Sequence, residues 1–98
     1  MILTSTMKAF LERIMEKSGL NELEAKFYYP FYKSADINDN LIMYGDAKSL
    51  VGKILNKEPN GQTVEDTYQY FLELFKEKNL IEKEDNQQGY PICRPSGL

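Results

Sequence analysis

The chain contains no histidine. Without one there is no Ser-His-Asp or Cys-His pair, no Cys₂His₂ zinc site, and no side chain whose ordinary pKa sits near neutrality. Cys93 is the one cysteine, so no internal disulfide staples the fold as in small secreted domains. That thiol has no imidazole to activate it, and the adjacent carboxylates Glu65 and Asp66 lack the arrangement that acid–base work needs. The expectation is a non-enzyme with no catalytic residue, cofactor or metal. Surplus positive charge is missing too. Lys and Arg number 12 against 15 Asp and Glu, a formal charge of -3, so attraction to nucleic acid or an anionic membrane has to be local. No apolar run approaches the roughly 18 residues of a membrane span, and the opening MILTSTMKAF is too short of apolar residues for a signal-peptide core. A cytoplasmic location without membrane contact is the expectation.

What is present suffices for a core. Hydrophobic residues make up 42% of the 98 and aromatics 12%, which argues against disorder and for a single domain over residues 1–98. Met7, Phe10, Leu11, Ile14 and Met15 repeat at i, i+3, i+4, i+7 and i+8. That spacing predicts a helix, capped by Ser5 or Thr6 and stopped by Gly19. Lys8, Glu12, Arg13, Glu16 and Lys17 form its solvated face.

A second helix is expected to begin at Asn21, with Glu22 and Glu24 in its first turn and Leu23 and Phe27 facing inward. Pro30 should end or kink it within FYYPFY, because proline lacks an N–H and clashes with the turn before it. Phe27 and Phe31 are the core candidates there, and some of Tyr28, Tyr29 and Tyr32 should stay near the surface. Residues 34 to 40, SADINDN, read as a loop. Asp36, Asn38 and Asn40 imitate the start of an EF-hand loop, but Leu41 stands where its Gly is required and Ala47 where its Glu is, so calcium is rejected.

Leu41 to Tyr44 reads as a short strand ended by Gly45. Asp46 then caps a helix with Ala47, Leu50, Val51, Ile54 and Leu55 on one face. AKSLVGKI lacks the first Gly and the metal-contacting hydroxyl of a phosphate loop, so nucleotide binding is rejected. Gly52 inside this helix costs roughly 1 kcal/mol relative to Ala and hints at a close backbone. Lys48, Lys53 and Lys57 give the one notable local surplus of positive charge.

KEPNGQ is a turn, after which Thr63 is expected to cap a helix over 64 to 78. Val64, Tyr68, Phe71, Leu72 and Phe75 make its inward face over three turns. Leu80 and Ile81 begin a strand, DNQQG turns the chain, and Tyr90 to Arg94 return antiparallel to it.

Helix, strand, helix, turn, helix, strand, wing, strand: from about residue 21 to 94 this order resembles the winged helix-turn-helix family. FLELFKEKNLIEKE looks like that family's leucine-bearing recognition helix, turn and entry to the wing. The resemblance implies an α+β, mainly helical fold with a C-terminal two-stranded wing. It also implies a small DNA-associated regulator of transcription or replication. Residues 64 to 78 would be the recognition helix, with Gln62, Thr63, Thr67 and Gln69 contacting bases or phosphates and Lys48, Lys53, Lys57, Lys83 and Arg94 contacting phosphates. KEPNGQ departs from the pattern by being longer than the family's tight turn.

Charge favours a different use. Glu65, Asp66, Gln69, Glu73, Lys76 and Glu77 face away from the apolar stripe, and a duplex carrying one charge per ~1.7 Å repels such a face. Tyr70 and Leu74, four apart, flank the core stripe as a wide core face, a homodimer contact or a docking strip for another protein. The alternative to DNA is therefore an acidic protein-interaction module or inhibitor acting on a nucleic-acid machine. A homodimer through the N-terminal MIL and the first helix is a further expectation.

Overall fold

A computed structural model describes residues 5–86 and 88–95. The first helix, α1 (Ser5–Ser18), buries Leu11 and Ile14 and packs Met7 and Phe10 against the same cluster, as the spacing predicts. Met15 at the stripe's edge is exposed. Ser5 and Thr6, expected to cap α1, both lie within the helix, and the residues before them lie outside the described ones. Gly19 stops it at φ +75°, a left-handed conformation, with its N–H donating to the Met15 carbonyl at 3.1 Å.

Helix α2 (Glu22–Ile37) opens on a complete capping box: the Asn21 side chain accepts from the Glu24 N–H at 2.8 Å, and Glu24 accepts from the Asn21 N–H at 3.1 Å. Three sequence expectations fail in this helix. Pro30 neither ends it nor separates it from a loop at residue 34, since the helix runs on to Ile37. Leu23, expected to face inward, is 57% exposed. Of the three tyrosines, Tyr28 is fully buried while Tyr29 and Tyr32 stay half-buried near the surface. One cause covers these differences. An unbroken helix turns Phe27, Tyr28, Phe31 and Ala35 into the core together, and at roughly 1.5–3 kcal/mol per large buried side chain this outweighs the ~3 kcal/mol cost of an interior proline. Ser34 pins the far end. Its buried hydroxyl accepts from the Met43 N–H at 2.8 Å and donates to the Met43 carbonyl at 3.3 Å.

Asp39 and Asn40 then turn the chain at positive φ into strand β1 (Leu41–Ile42), which is shorter than the sequence suggests. Helix α3 (Tyr44–Leu55) takes in Gly45, expected to end the strand, and Asp46, expected as its cap; Met43 holds the cap position without a side-chain bond. Ala47 and Val51 face the core. Gly52 meets the backbone anticipated for it: a Cβ there would stand 3.1 Å from the Lys57 carbonyl oxygen and 3.3 Å from the Pro59 Cα. Asn56 closes α3 at φ 55°.

Helix α4 (Gln62–Glu77) is preceded by Gly61, so Thr63 lies inside the helix and is not its cap. Val64, Tyr68, Phe71, Leu72 and Phe75 are all buried, in agreement with their spacing. Phe71 stacks on Phe27 with ring centroids 4.6 Å apart, and Phe75 meets Tyr28 and Phe31 edge-on. These aromatic pairs join α2 to α4 and form the centre of the core.

After α4, Leu80 and Ile81 are buried, and the chain returns through strand β2 (Tyr90–Pro91). The return differs from a simple hairpin. β2 pairs antiparallel with β1, Leu41 opposite Pro91 and Ile42 opposite Tyr90, while Ile81 contributes a single bridge to Ile92. Backbone bonds from Glu82 N–H to the Pro91 carbonyl and from Cys93 N–H to the Leu80 carbonyl complete that side. Among the described residues the fold is thus α+β and mainly helical, four helices with a two-stranded antiparallel sheet. No helix among them is long and apolar enough to cross a membrane.

Candidate functional site

Helix α4 packs against α2 and α3, and most of the residues singled out from the sequence lie on or beside it. Its solvent stripe runs through Asp66, Tyr70, Glu73 and Glu77, spaced i, i+4, i+7 and i+11, all exposed. Tyr70 is 64% exposed, the most open of the large apolar side chains among the described residues. Leu74 packs half-buried against the core, as the wide-core-face alternative has it, so the two do not form one open strip.

The polar side chains near the start of α4 are engaged within the chain. Gln62 donates to Asp66 at 2.8 Å, Thr67 to the Thr63 carbonyl at 2.8 Å, and Gln69 to Glu65 at 3.1 Å. Glu65 also accepts from the Tyr44 hydroxyl and pairs with Lys48 at 2.8 Å. Lys48 in turn donates to the Tyr44 oxygen at 2.9 Å and lies over that ring, 5.1 Å from its centroid. Tyr44, Lys48, Glu65 and Gln69 therefore form a latch between α3 and α4. The Lys48 and Tyr44 bonds hold the Glu65 carboxyl down at about 2, and the Glu65 bond raises the Lys48 ammonium above its ordinary value.

Lys76 departs from the sequence expectation. It is 8% exposed, not part of a solvated face. Its ammonium sits 4.1 Å from the Tyr90 ring centroid and 3.3 Å from Glu73. Burial pushes its pKa down, but the contacts with Tyr90 and Glu73 outweigh that and leave it raised. Arg94 is also drawn inward, bonded to Asn40 and lying 5.2 Å from the Tyr32 ring centroid. Lys53, Lys57 and Lys83 are exposed. Lys53 and Lys57 stand together at the end of α3, whereas Lys83 lies on the segment after α4 among Glu82, Glu84 and Asp85.

Beside the latch a cleft of about 290 Å³ opens between α4 and the β2 turn, lined by Ile42, Tyr44, Tyr68, Gln69, Leu72, Asp85, Gln88, Gly89 and Tyr90. Gly89 is required there, since a Cβ would come within 2.5 Å of the Ile42 carbonyl oxygen. Sequence reasoning missed Tyr44 and Tyr90 as parts of this face. Tyr44 and Lys48 stand four apart, a signal that was present, but nothing local announces that residues 85 to 90 fold back against α4.

Cys93 is half-buried and free. Burial and the Glu82 carboxylate, 3.4 Å away, raise the thiol and keep it protonated. No cluster of side chains able to hold a metal ion occurs among the described residues. No protein-family model matches the chain, and no curated protein or solved structure matches it either.

Proposed function

We propose that the chain is a non-enzymatic domain of winged-helix type that binds another protein, with the outward face of α4 as its docking surface. The winged-helix reading is supported by the connectivity, in which β1 leads to the α3–α4 pair and the returning segment lies between β1 and Ile81. One observation carries the choice of partner: the exposed stripe Asp66, Tyr70, Glu73, Glu77 holds three carboxylates and an open aromatic, and only Glu73 of the three is paired with a lysine, Lys76, while Lys48 is committed to Glu65. Phosphates would meet an acidic surface at the position a recognition helix occupies. A basic protein surface with an apolar pocket for Tyr70 fits it, since exposed aromatics often anchor interfaces. The machine regulated would be one that handles nucleic acid, whose proteins commonly present basic surfaces.

The test is a pull-down from the native host with the wild-type chain and with Tyr70→Ser plus Glu77→Lys. The double variant is expected to stay folded and to lose the partner; retention of the partner places the docking surface elsewhere.

DNA is the second reading, favoured by the element order and by exposed Lys53 and Lys57. Fluorescence anisotropy of a labelled random duplex at low and physiological salt separates the two. The protein-docking reading expects no binding at either. Salt-sensitive binding that loses about two units of log–log slope when Lys53 and Lys57 become Gln would establish DNA instead.

A further inference from the structure

The cleft between α4 and the β2 turn is built from rings and oxygen acceptors. Tyr44, Tyr68 and Tyr90 line it together with the Asp85 carboxylate and the amides of Gln69 and Gln88, and no lysine or arginine is among its lining residues. An anion entering it finds no cationic partner in the wall. A cation finds π-faces and a negative charge. The chain itself places an ammonium on one face of Tyr44 and another on one face of Tyr90, so these rings already hold cations. The ion pairs Lys48–Glu65 and Lys76–Glu73 neutralise those ammoniums locally, and Asp85 belongs to neither pair. At about 290 Å³ the cleft lies at the lower end of the roughly 300–1,000 Å³ typical of small-molecule sites, which suits one long side chain better than a nucleotide cofactor.

We infer that the cleft receives one arginine or lysine side chain of the protein partner, stacked between Tyr44 and Tyr90 and paired with Asp85. The inference rests on the protein-docking reading and deepens it. The acidic stripe of α4 attracts the basic surface, and the cleft beside it takes a single cationic residue in a fixed place.

The experiment is NMR titration of the isotope-labelled chain with N-acetyl-arginine methylamide, with the lysine analogue, and with the neutral norleucine analogue. Saturable amide shifts at Gln69, Asp85 and Gly89 are expected with the two cations and not with norleucine. Asp85→Asn, a change on an exposed side chain, should weaken them about fivefold, the factor a single exposed ion pair of ordinary strength is worth. Tyr44→Phe keeps the ring and should keep the response, whereas Tyr44→Leu should lose it. Equal shifts with norleucine, no saturable shift, or indifference to Asp85→Asn would overturn the inference. A hexa-arginine peptide separates it from the reading beneath it. Shifts at Asp66, Glu73 and Glu77 with a silent cleft would keep the docking face and discard the cation site. Shifts in the cleft alone would do the reverse, and no shift anywhere would remove both.

Discussion

Tyr28 is the most instructive single residue. Its hydroxyl is buried without a hydrogen-bond partner among the described residues, and burial raises its pKa far above the ordinary tyrosine value. A buried unpaired polar group costs about 1–3 kcal/mol, and its removal in an isosteric ring restores that. Tyr28→Phe is therefore expected to raise stability by about 1 kcal/mol, read as a higher urea midpoint at unchanged slope. Glu65 makes the opposite kind of contribution. Its folded pKa of about 2 lies below the ordinary carboxyl value of 4.5, so its stabilisation is full above about pH 4.5 and is lost as pH falls toward 2. Water reaches both partners, with 16% of the Lys48 and 28% of the Glu65 side chain exposed, so the loss is on the order of 1 kcal/mol. Glu65→Gln should flatten the acid limb of a stability–pH curve in that window; an unchanged limb would assign it to other carboxylates.

At the scale of elements, two glycines hold chain segments against each other. A side chain at Gly89 must push β2 or its turn away from the Ile42 carbonyl, so Gly89→Ala is expected to cost about 1–3 kcal/mol and to distort the cleft. Thermal unfolding measures the first effect and the amide shifts of Tyr44 and Gln69 the second. Gly52→Val meets the Lys57–Pro59 backbone and should destabilise by a similar amount. The need for a small residue at 52 was legible in the sequence, as was the inward face of α4, because both follow from local helical geometry. The course of α2 was not. Local rules place an end or a kink at Pro30, and the packing of Tyr28 and Phe31 on Phe75 explains why the helix continues. Likewise, the turn composition near 85–89 announced a return of the chain, but a pattern within residues 80–94 carries no information about a partner at residue 41. The candidate site was half legible for the same reason. The acidic outward face of α4 can be read from spacing, whereas the roles of Lys48 and Lys76 depend on Glu65 and Tyr90, which come from other elements.

For the whole molecule, net charge -3 sets the salt response. Binding of a basic partner to the α4 face should weaken as ionic strength rises from about 0.05 M to 0.5 M, because exposed charges are screened over roughly 10 Å at 0.1 M. Isothermal titration at the two salt levels would show it, and a salt-independent affinity would point to Tyr70 and apolar contact as the main source. The suggested homodimer rests on α1 and on the N-terminal MIL, of which the latter lies outside the described residues. Sedimentation of the free chain decides it directly.

The pairing of β1 with β2 also has a temporal side. It joins Leu41 to Pro91, positions 50 apart in the chain (91 − 41), with two helices between them. Closing so long a loop costs entropy before any sheet bond repays it. The helical contacts of α2, α3 and α4 are thus expected to form first on folding, and the short sheet to be the first part to open afterwards. In native-state hydrogen exchange, the Ile92 amide, which donates to the Asn40 carbonyl, should exchange well before those of Phe71 and Leu72. Because the cleft closes only when β2 is seated, a bound side chain would slow that exchange. Protection at Ile92 would then report occupancy of a site on the far side of the turn.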